Sequence, residues 1–342
     1  MSQHPSRSGL VMRRPLSRSA FRIAMTLVVI FCTQAQPAWA WNGRGHRLIA
    51  WMAFEQLDEK TKNELARILE KHPAEGPWWR EARFNPRDER LALMVNASVF
   101  PDQARPDTKF SRYFRPRAHY VNHKLIVERN RPVRLEEPQT RPSDENVINT
   151  YLAHVKTFKD RKNTPEERAV ALSWIIHQVG DVHQPLHAAA RFCPATPNGD
   201  QGGNLIEVPN DNGPDNLHAY WDGVLGREEN PPSLDRETRR LLRDFPRDRF
   251  RDELQRGKIQ DWVRESAEAC RDVVYANLPA DETRLRDLPV GYAADARKLA
   301  ERRVALASYR LADVLRDLVQ DQGQNPPAPR PEPRQTPDSA GR

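Results

Sequence analysis

Eleven consecutive residues, His177-Gln-Val-Gly-Asp-Val-His-Gln-Pro-Leu-His187, carry three histidines and an aspartate. His177 and Asp181 stand at i and i+4, which puts both side chains on one face of a helix. Two ligands of one metal ion need that spacing, although a lone His/Asp pair of this kind also occurs as a plain surface hydrogen bond. A second pair at the same spacing follows in His218-Ala-Tyr-Trp-Asp222, with His187 between the two. A chain built around two such pairs has to be helical where they stand. Imidazole and carboxylate without cysteine point to zinc or another first-row divalent metal.

The rest of the chain fits a mainly helical fold with at most a short β-hairpin. Apolar residues recur at helical spacing over 45–57 and 59–71, and again over 144–158, 165–180, 262–276 and 293–319. Asn163-Thr-Pro-Glu-Glu167 supplies a cap, a first-turn proline and early acids to the helix that bears His177. Residues 72–143 are rich in Pro and Arg and read as loop. Gly199–Gly213 is a Gly/Asn/Asp loop flanking a possible short strand, Leu205–Val208. One helical domain over 41–320 is expected. The proline-rich segment 321–342 lacks anything to bury and is expected to be disordered.

The first forty residues read as an address rather than a domain. Five arginines and no acid precede the apolar run Ile23–Cys32, and Ala38-Trp-Ala40 gives a small-residue cleavage pattern. This is the layout of a secretory signal cut after Ala40, so export to the periplasm or beyond is expected. The run is too short to span a bilayer, and 38% hydrophobic residues against 30% charged exclude a polytopic membrane protein. Losing those five arginines leaves +2 of the formal +7. Composition therefore offers no general nucleic-acid clamp. Attraction for phosphate has to come from a local site, such as a metal cluster or a few placed arginines. In an oxidising compartment Cys193 and Cys270 either pair or stay as two buried thiols.

The motif His177–His187, the loop Gly202-Gly-Asn204, the stretch Asp215–Asp222 and the start Trp41-Asn-Gly-Arg-Gly-His46 together resemble the trinuclear-zinc nucleases. These are the fungal single-strand-specific nuclease/3′-nucleotidases and the plant bifunctional nucleases. The resemblance extends to Ser308–Leu315 and to Cys270. It implies three Zn²⁺ per chain. One would be held by Asp102, His119 and His177, with Asp181 bridging to a second. The second would be bound by His46, Asp181 and the amino group and carbonyl oxygen of Trp41, and the third by His187, His218 and Asp222. Asp107 and His123 are the nearby competitors of Asp102 and His119.

The resemblance further implies in-line hydrolysis of phosphodiesters by a metal-bound hydroxide, giving 5′-phosphates. Asp102 would orient the nucleophile and Arg105 would grip a phosphate oxygen. Tyr120 would stack on a base, with Asn204 reading its edge. Asn122 stands where the family has an aspartate. Single-stranded DNA or RNA and 3′-nucleotides would be the substrates of a monomer with no stable protein or membrane partner. A Cys193–Cys270 disulfide is expected, closing a loop of about 76 residues. His183 is read as adjoining the ligands or exposed, and His72 and His154 as surface residues. The alternative enzyme is a zinc-dependent phospholipase C, whose last ligand is usually glutamate where this chain has Asp222. The non-enzymatic alternative is an exported metal-binding or adhesion protein.

Overall fold

A computed structural model describes residues 41–74, 88–128, 131–209 and 215–324. The expected signal lies outside them, as does the tail beyond residue 324. The helices are α1 (Gly43–Phe54), α2 (Glu59–Leu69), α3 (Glu89–Ala97), α4 (Val147–Lys159), α5 (Pro165–Asp181), α6 (Leu217–Gly223), α7 (Pro231–Asp244), α8 (Ile259–Ala269) and α9 (Tyr292–Gln324). Single turns fill the gaps, two of them at Phe100–Gln103 and Pro116–His119. None of the described helices is long and apolar enough to cross a membrane.

Helix α5 is the axis of the fold. Thr164 and Glu167 close a reciprocal capping box at its start, with Pro165 in the first turn. From Ala169 to Asp181 every residue is buried, so this helix is core on all sides. α4, α2, α9 and α1 pack around it. The long α9 lies against α1 and continues to Gln324, four residues into the segment expected to be disordered.

Two differences from the expected layout stand inside 72–143. Helix α3 forms there, capped by Asp88 and buried through Leu91, Met94 and Val95. The hairpin β1 (His123–Glu128) and β2 (Arg131–Glu136) also lies there, with a bulge between Ile126 and Val127. A third strand, β3 (Ala189–Phe192), joins β1 in parallel with His123 opposite Ala189, so the sheet exceeds a hairpin. It forms because the chain leaving His187 runs beside the chain leaving His119. Val121 N–H donates to His187 O at 3.0 Å and His123 N–H to Ala188 O at 2.8 Å. The expected strand over 205–208 shrinks to β4 (Glu207–Val208), paired with β5 (Asp215–Asn216).

The disulfide is not formed. Cys193 and Cys270 are both free and buried. Each already has a polar partner: Cys270 Sγ donates to Pro185 O at 2.9 Å, and Cys193 Sγ sits 3.1 Å from Thr196 Oγ1. Burial pushes the Cys270 thiol well above its ordinary pKa, so it stays protonated and inert.

Candidate metal centre

The C-terminal end of α5, where the backbone carbonyls leave a partial negative charge, delivers His177 and Asp181. Short, rigid elements bring the other residues to it. His46 comes from the first turns of α1, Asp102 from the turn Phe100–Gln103, His119 from Pro116–His119 and His187 from Pro185–His187. His218 and Asp222 share one face of α6, whose N-cap is Asn216. Three groups of ligand atoms result: His46, Asp102 and His177; His119, His177 and Asp181; and His187, His218 and Asp222.

The two oxygens of Asp181 face different neighbours. Oδ2 lies 3.1 Å from His119 Nδ1 and 3.3 Å from His177 Nε2, while Oδ1 lies 3.5 Å from His46 Nε2. Oδ1 is also 3.9 Å from His187 Nδ1, which ties the third group to the other two. His46 stacks on His177 with ring centroids 3.9 Å apart. That approach needs Gly180, since a Cβ there would meet His46 Nδ1 at 2.8 Å.

Backbone carbonyls fix the ring protons. Nδ1–H of His177 donates to Ser98 O, that of His187 to His119 O and that of His218 to Gly202 O, each at 2.7 Å. A carbonyl only accepts, so each neutral ring turns an Nε2 lone pair inward. His187 Nε2 and His218 Nε2 then confront each other at 3.1 Å, while His119 Nδ1 lies 3.0 Å from His177 Nε2 and 3.1 Å from Asp181 Oδ2. Neither ring nitrogen of His46 nor Oδ1 of Asp181 has a hydrogen-bond partner among the described residues.

The charges are unbalanced in the same sense. Burial alone would raise the Asp102 carboxyl, but His177, with His46 and His119 behind it, holds it below the ordinary range. Asp181 is likewise held low by His177 and His119 against its burial. Burial opposes charge on His177, yet the two carboxylates raise it to about 9, while burial takes His46 down to about 3. Burial pushes Asp222 well up, and Asp102 and Asp181 push the same way. Buried carboxylates and imidazoles that converge in this way form a donor set that suits zinc.

Asp107 and Arg105 are exposed on the loop after Asp102. His123 is buried on β1 between Ala188 O and Glu137, outside the three groups. Tyr120, Asn122 and Asn204 are half-buried, and Asn204 Nδ2 donates to Gln201 O. The loop carrying Asn204 reaches the centre through Gly202, whose φ is +62° and where a Cβ would meet Leu186 O at 2.5 Å. Two histidines expected at the surface, His72 and half-buried His154, are drawn against the core, and His183 takes the unexposed of its two expected places. His72 is buried edge-on to Phe100, His154 stacks on Trp174, and His183 is buried beneath Arg310. Gln184, which sequence reasoning passed over, donates from Nε2 to Asp222 Oδ1 at 2.8 Å. Its only signal was its place inside a ligand-dense run.

Comparisons with known proteins identify the family. A family model described as S1/P1 Nuclease matches residues 41–320. The chain is similar to Endonuclease 2 of Arabidopsis thaliana, 23% identical over 214 residues, which is 61% of this chain and 64% of that one. It is similar to Nuclease S1 of Aspergillus oryzae, 28% identical over 57% of each chain. It is also similar to Nuclease P1 of Penicillium citrinum, 35% identical over 23% of this chain and 26% of that one. The chain thus spans less than two thirds of the length of each of these relatives. The family match covers most of the sequence and every residue of the three ligand groups, and by it the chain belongs to the S1/P1 nuclease family.

Proposed function

We propose that the protein is an exported zinc-dependent nuclease and 3′-nucleotidase that hydrolyses single-stranded DNA or RNA to 5′-phosphate products. The observation that carries this reading is the set of three adjoining His/carboxylate groups, in one of which the Nε2 atoms of His187 and His218 face each other with their Nδ1 protons committed to backbone carbonyls. The names of the relatives, all nucleases, support the substrate class. Asp102, His119 and His177 would hold one zinc; His46 and the Trp41 amine and carbonyl a second; His187, His218 and Asp222 a third. The two oxygens of Asp181 face both of the first two sets, as a bridging carboxylate requires. Zinc held there supplies Lewis acidity and water acidified to near neutral pH.

The chain's own residues do the rest. Asp102, partly exposed at the edge of the cluster, would accept a hydrogen bond from the attacking water and orient it. Arg105, on the loop just beyond, offers two parallel N–H bonds to a phosphate oxygen pair. Tyr120 presents a ring face to an unstacked base, and Asn122 and Asn204 present amides to its edge.

The test is an activity panel of 3′-AMP, single-stranded nucleic acid and phosphatidylcholine micelles, each with and without chelator, alongside metal content. Zinc-dependent turnover of the first two is expected. Turnover of phosphatidylcholine alone, or full activity without metal, overturns the reading.

A further inference from the structure

Asp102 and His119 are joined by a segment unlike the rest of the chain. Residues 103–118 hold Arg105, Lys109, Arg112, Arg115 and Arg117 against one acid, Asp107. The net +4 of this stretch exceeds the +2 of everything after residue 40, so the remainder is slightly negative. All five basic residues are exposed. The segment is nonetheless tied to the fold. Thr108 hydrogen-bonds to both the N–H and the carbonyl of Arg105, Pro116 opens the turn that delivers His119, and Phe110 and Tyr113 pack edge-on against buried Phe100.

Its course is set by α5. At one end Asp102 and His119 stand at His177, and at the other Arg112 bonds to Glu166 in the first turn of the same helix. Glu166 precedes His177 by eleven residues, which is about 16 Å along a helix. The strip therefore runs from the metal centre to a point that a single nucleotide cannot reach. Glu166 pairs with Arg112 and Glu145 with Arg115, and these four side chains are 36 to 65% exposed. Tyr113 and Phe114 are half-buried between the charges, and Arg112 lies over the Tyr113 ring at 4.6 Å. A basic track with interleaved aromatic rings is the chemistry that follows a single-stranded phosphate backbone.

We propose that residues 109–117 dock the stretch of a single strand lying beyond the nucleotide at the metal centre. This makes the protein a polymer-preferring enzyme through a local strip although the whole molecule is nearly neutral. The proposal rests on the nuclease reading, and its test separates the two.

Lys109→Ala/Arg112→Ala/Arg115→Ala is compared with wild type for kcat/KM on 3′-AMP and on a long single-stranded oligothymidylate across a salt series. Surface pairs this exposed add little to stability, so the variant should fold. Turnover of 3′-AMP should stay within about twofold, while kcat/KM for the polymer falls about tenfold at low salt and its log–log salt slope flattens by about 2, at ~0.7 per lost phosphate contact. The charge-keeping Arg112→Lys/Arg115→Lys should retain most of the wild-type salt slope. Equal losses on both substrates, or no loss on the polymer, overturn the strip. If wild type turns over neither substrate, the nuclease reading fails. Anisotropy with an uncleavable oligothymidylate then judges the strip alone, with the same weakening expected. Weakened binding to phosphatidylglycerol vesicles with unchanged oligonucleotide binding would assign the surface to lipid and also overturn it.

Discussion

At Gln184 a side-chain amide decides how Asp222 is presented. Leu186 N–H donates to Gln184 Oε1 at 2.6 Å, so the amide nitrogen must face Asp222, where it donates to Oδ1 at 2.8 Å. Oδ2 is left facing His218 Nε2 at 3.6 Å. Gln184→Glu would set a second carboxylate against the first and lose the donor. Partners of this kind are worth about 10–100-fold in metal affinity, so the variant should purify with close to one zinc fewer and much weaker activity. Wild-type metal content would refute the role.

His72 gives a residue-scale prediction free of the metal. Burial lowers its pKa from 6.5 to about 3, so it is neutral in the fold while the unfolded chain takes up a proton below 6.5. The unfolded state then binds more protons, and stability falls as pH drops from about 6.5 towards 3, by up to ~1.4 kcal/mol per pH unit. His72→Asn keeps an acceptor for Ala74 N–H, which now donates to His72 Nδ1. Urea midpoints from neutral to acid pH should show a shallower decline in this variant. A parallel decline would mean that His72 does not titrate in this way.

Among the elements, α8 and α9 are bolted together directly beneath the ligand-bearing turn. Glu265 of α8 accepts from both guanidinium nitrogens of Arg310 at 2.7 and 2.9 Å, and Arg303 of α9 lies at 3.4 Å. Arg310 Nη1 also donates to His183 Nε2, while His183 Nδ1–H donates to Val179 O. The histidine between the candidate ligands Asp181 and His187 is thus held by the last helix. Arg303 and Arg310 are almost fully buried, and burial takes Arg303 down to about 10. Glu265→Ala leaves both without a counter-charge and should cost about 3–5 kcal/mol in urea unfolding. A loss under ~1 kcal/mol would show that the pair is not what holds these helices. These elements also mark how far the sequence could be read. α5 was legible through its cap, proline and acids, and α9 through its apolar period. α3 was not, because its nine residues sit in a run whose prolines and arginines hide the period of Leu91, Met94 and Val95. β3 was illegible for another reason: it exists only because two ligand turns run side by side, a non-local fact. At the site, the i,i+4 pairs announced themselves. The carbonyls of Ser98, His119 and Gly202 that set the imidazole tautomers carry no side-chain signature.

For the whole molecule, metal and fold should be inseparable. Three groups of ligands draw on α1, α5, α6 and the turns between them, so their cations would link elements from His46 to Asp222. Chelation should therefore lower Tm and activity together. The expected mature N-terminus, Trp41, supplies a sharper test. Trp41 is fully buried, a Cβ on Gly45 would meet its Cβ at 2.5 Å, and Asn42 N–H donates to Asp222 O at 3.2 Å. The backbone at Trp41 is thus stitched between α1, which bears His46, and the end of α6, which bears Asp222. A free α-amine there has a lone pair to give a metal, whereas a peptide nitrogen has lost it to resonance. Protein carrying residues ahead of Trp41 should hold close to one zinc fewer than protein beginning at Trp41, with activity on 3′-AMP reduced by orders of magnitude. Its circular dichroism at room temperature should be unchanged while its Tm falls, because the other two ligand groups can still fill. Proteolytic exposure of Trp41 followed by zinc should restore both metal and turnover. Equal zinc and equal turnover in the extended and trimmed proteins would remove the amine from the ligand set and leave His46 with the carboxylates alone.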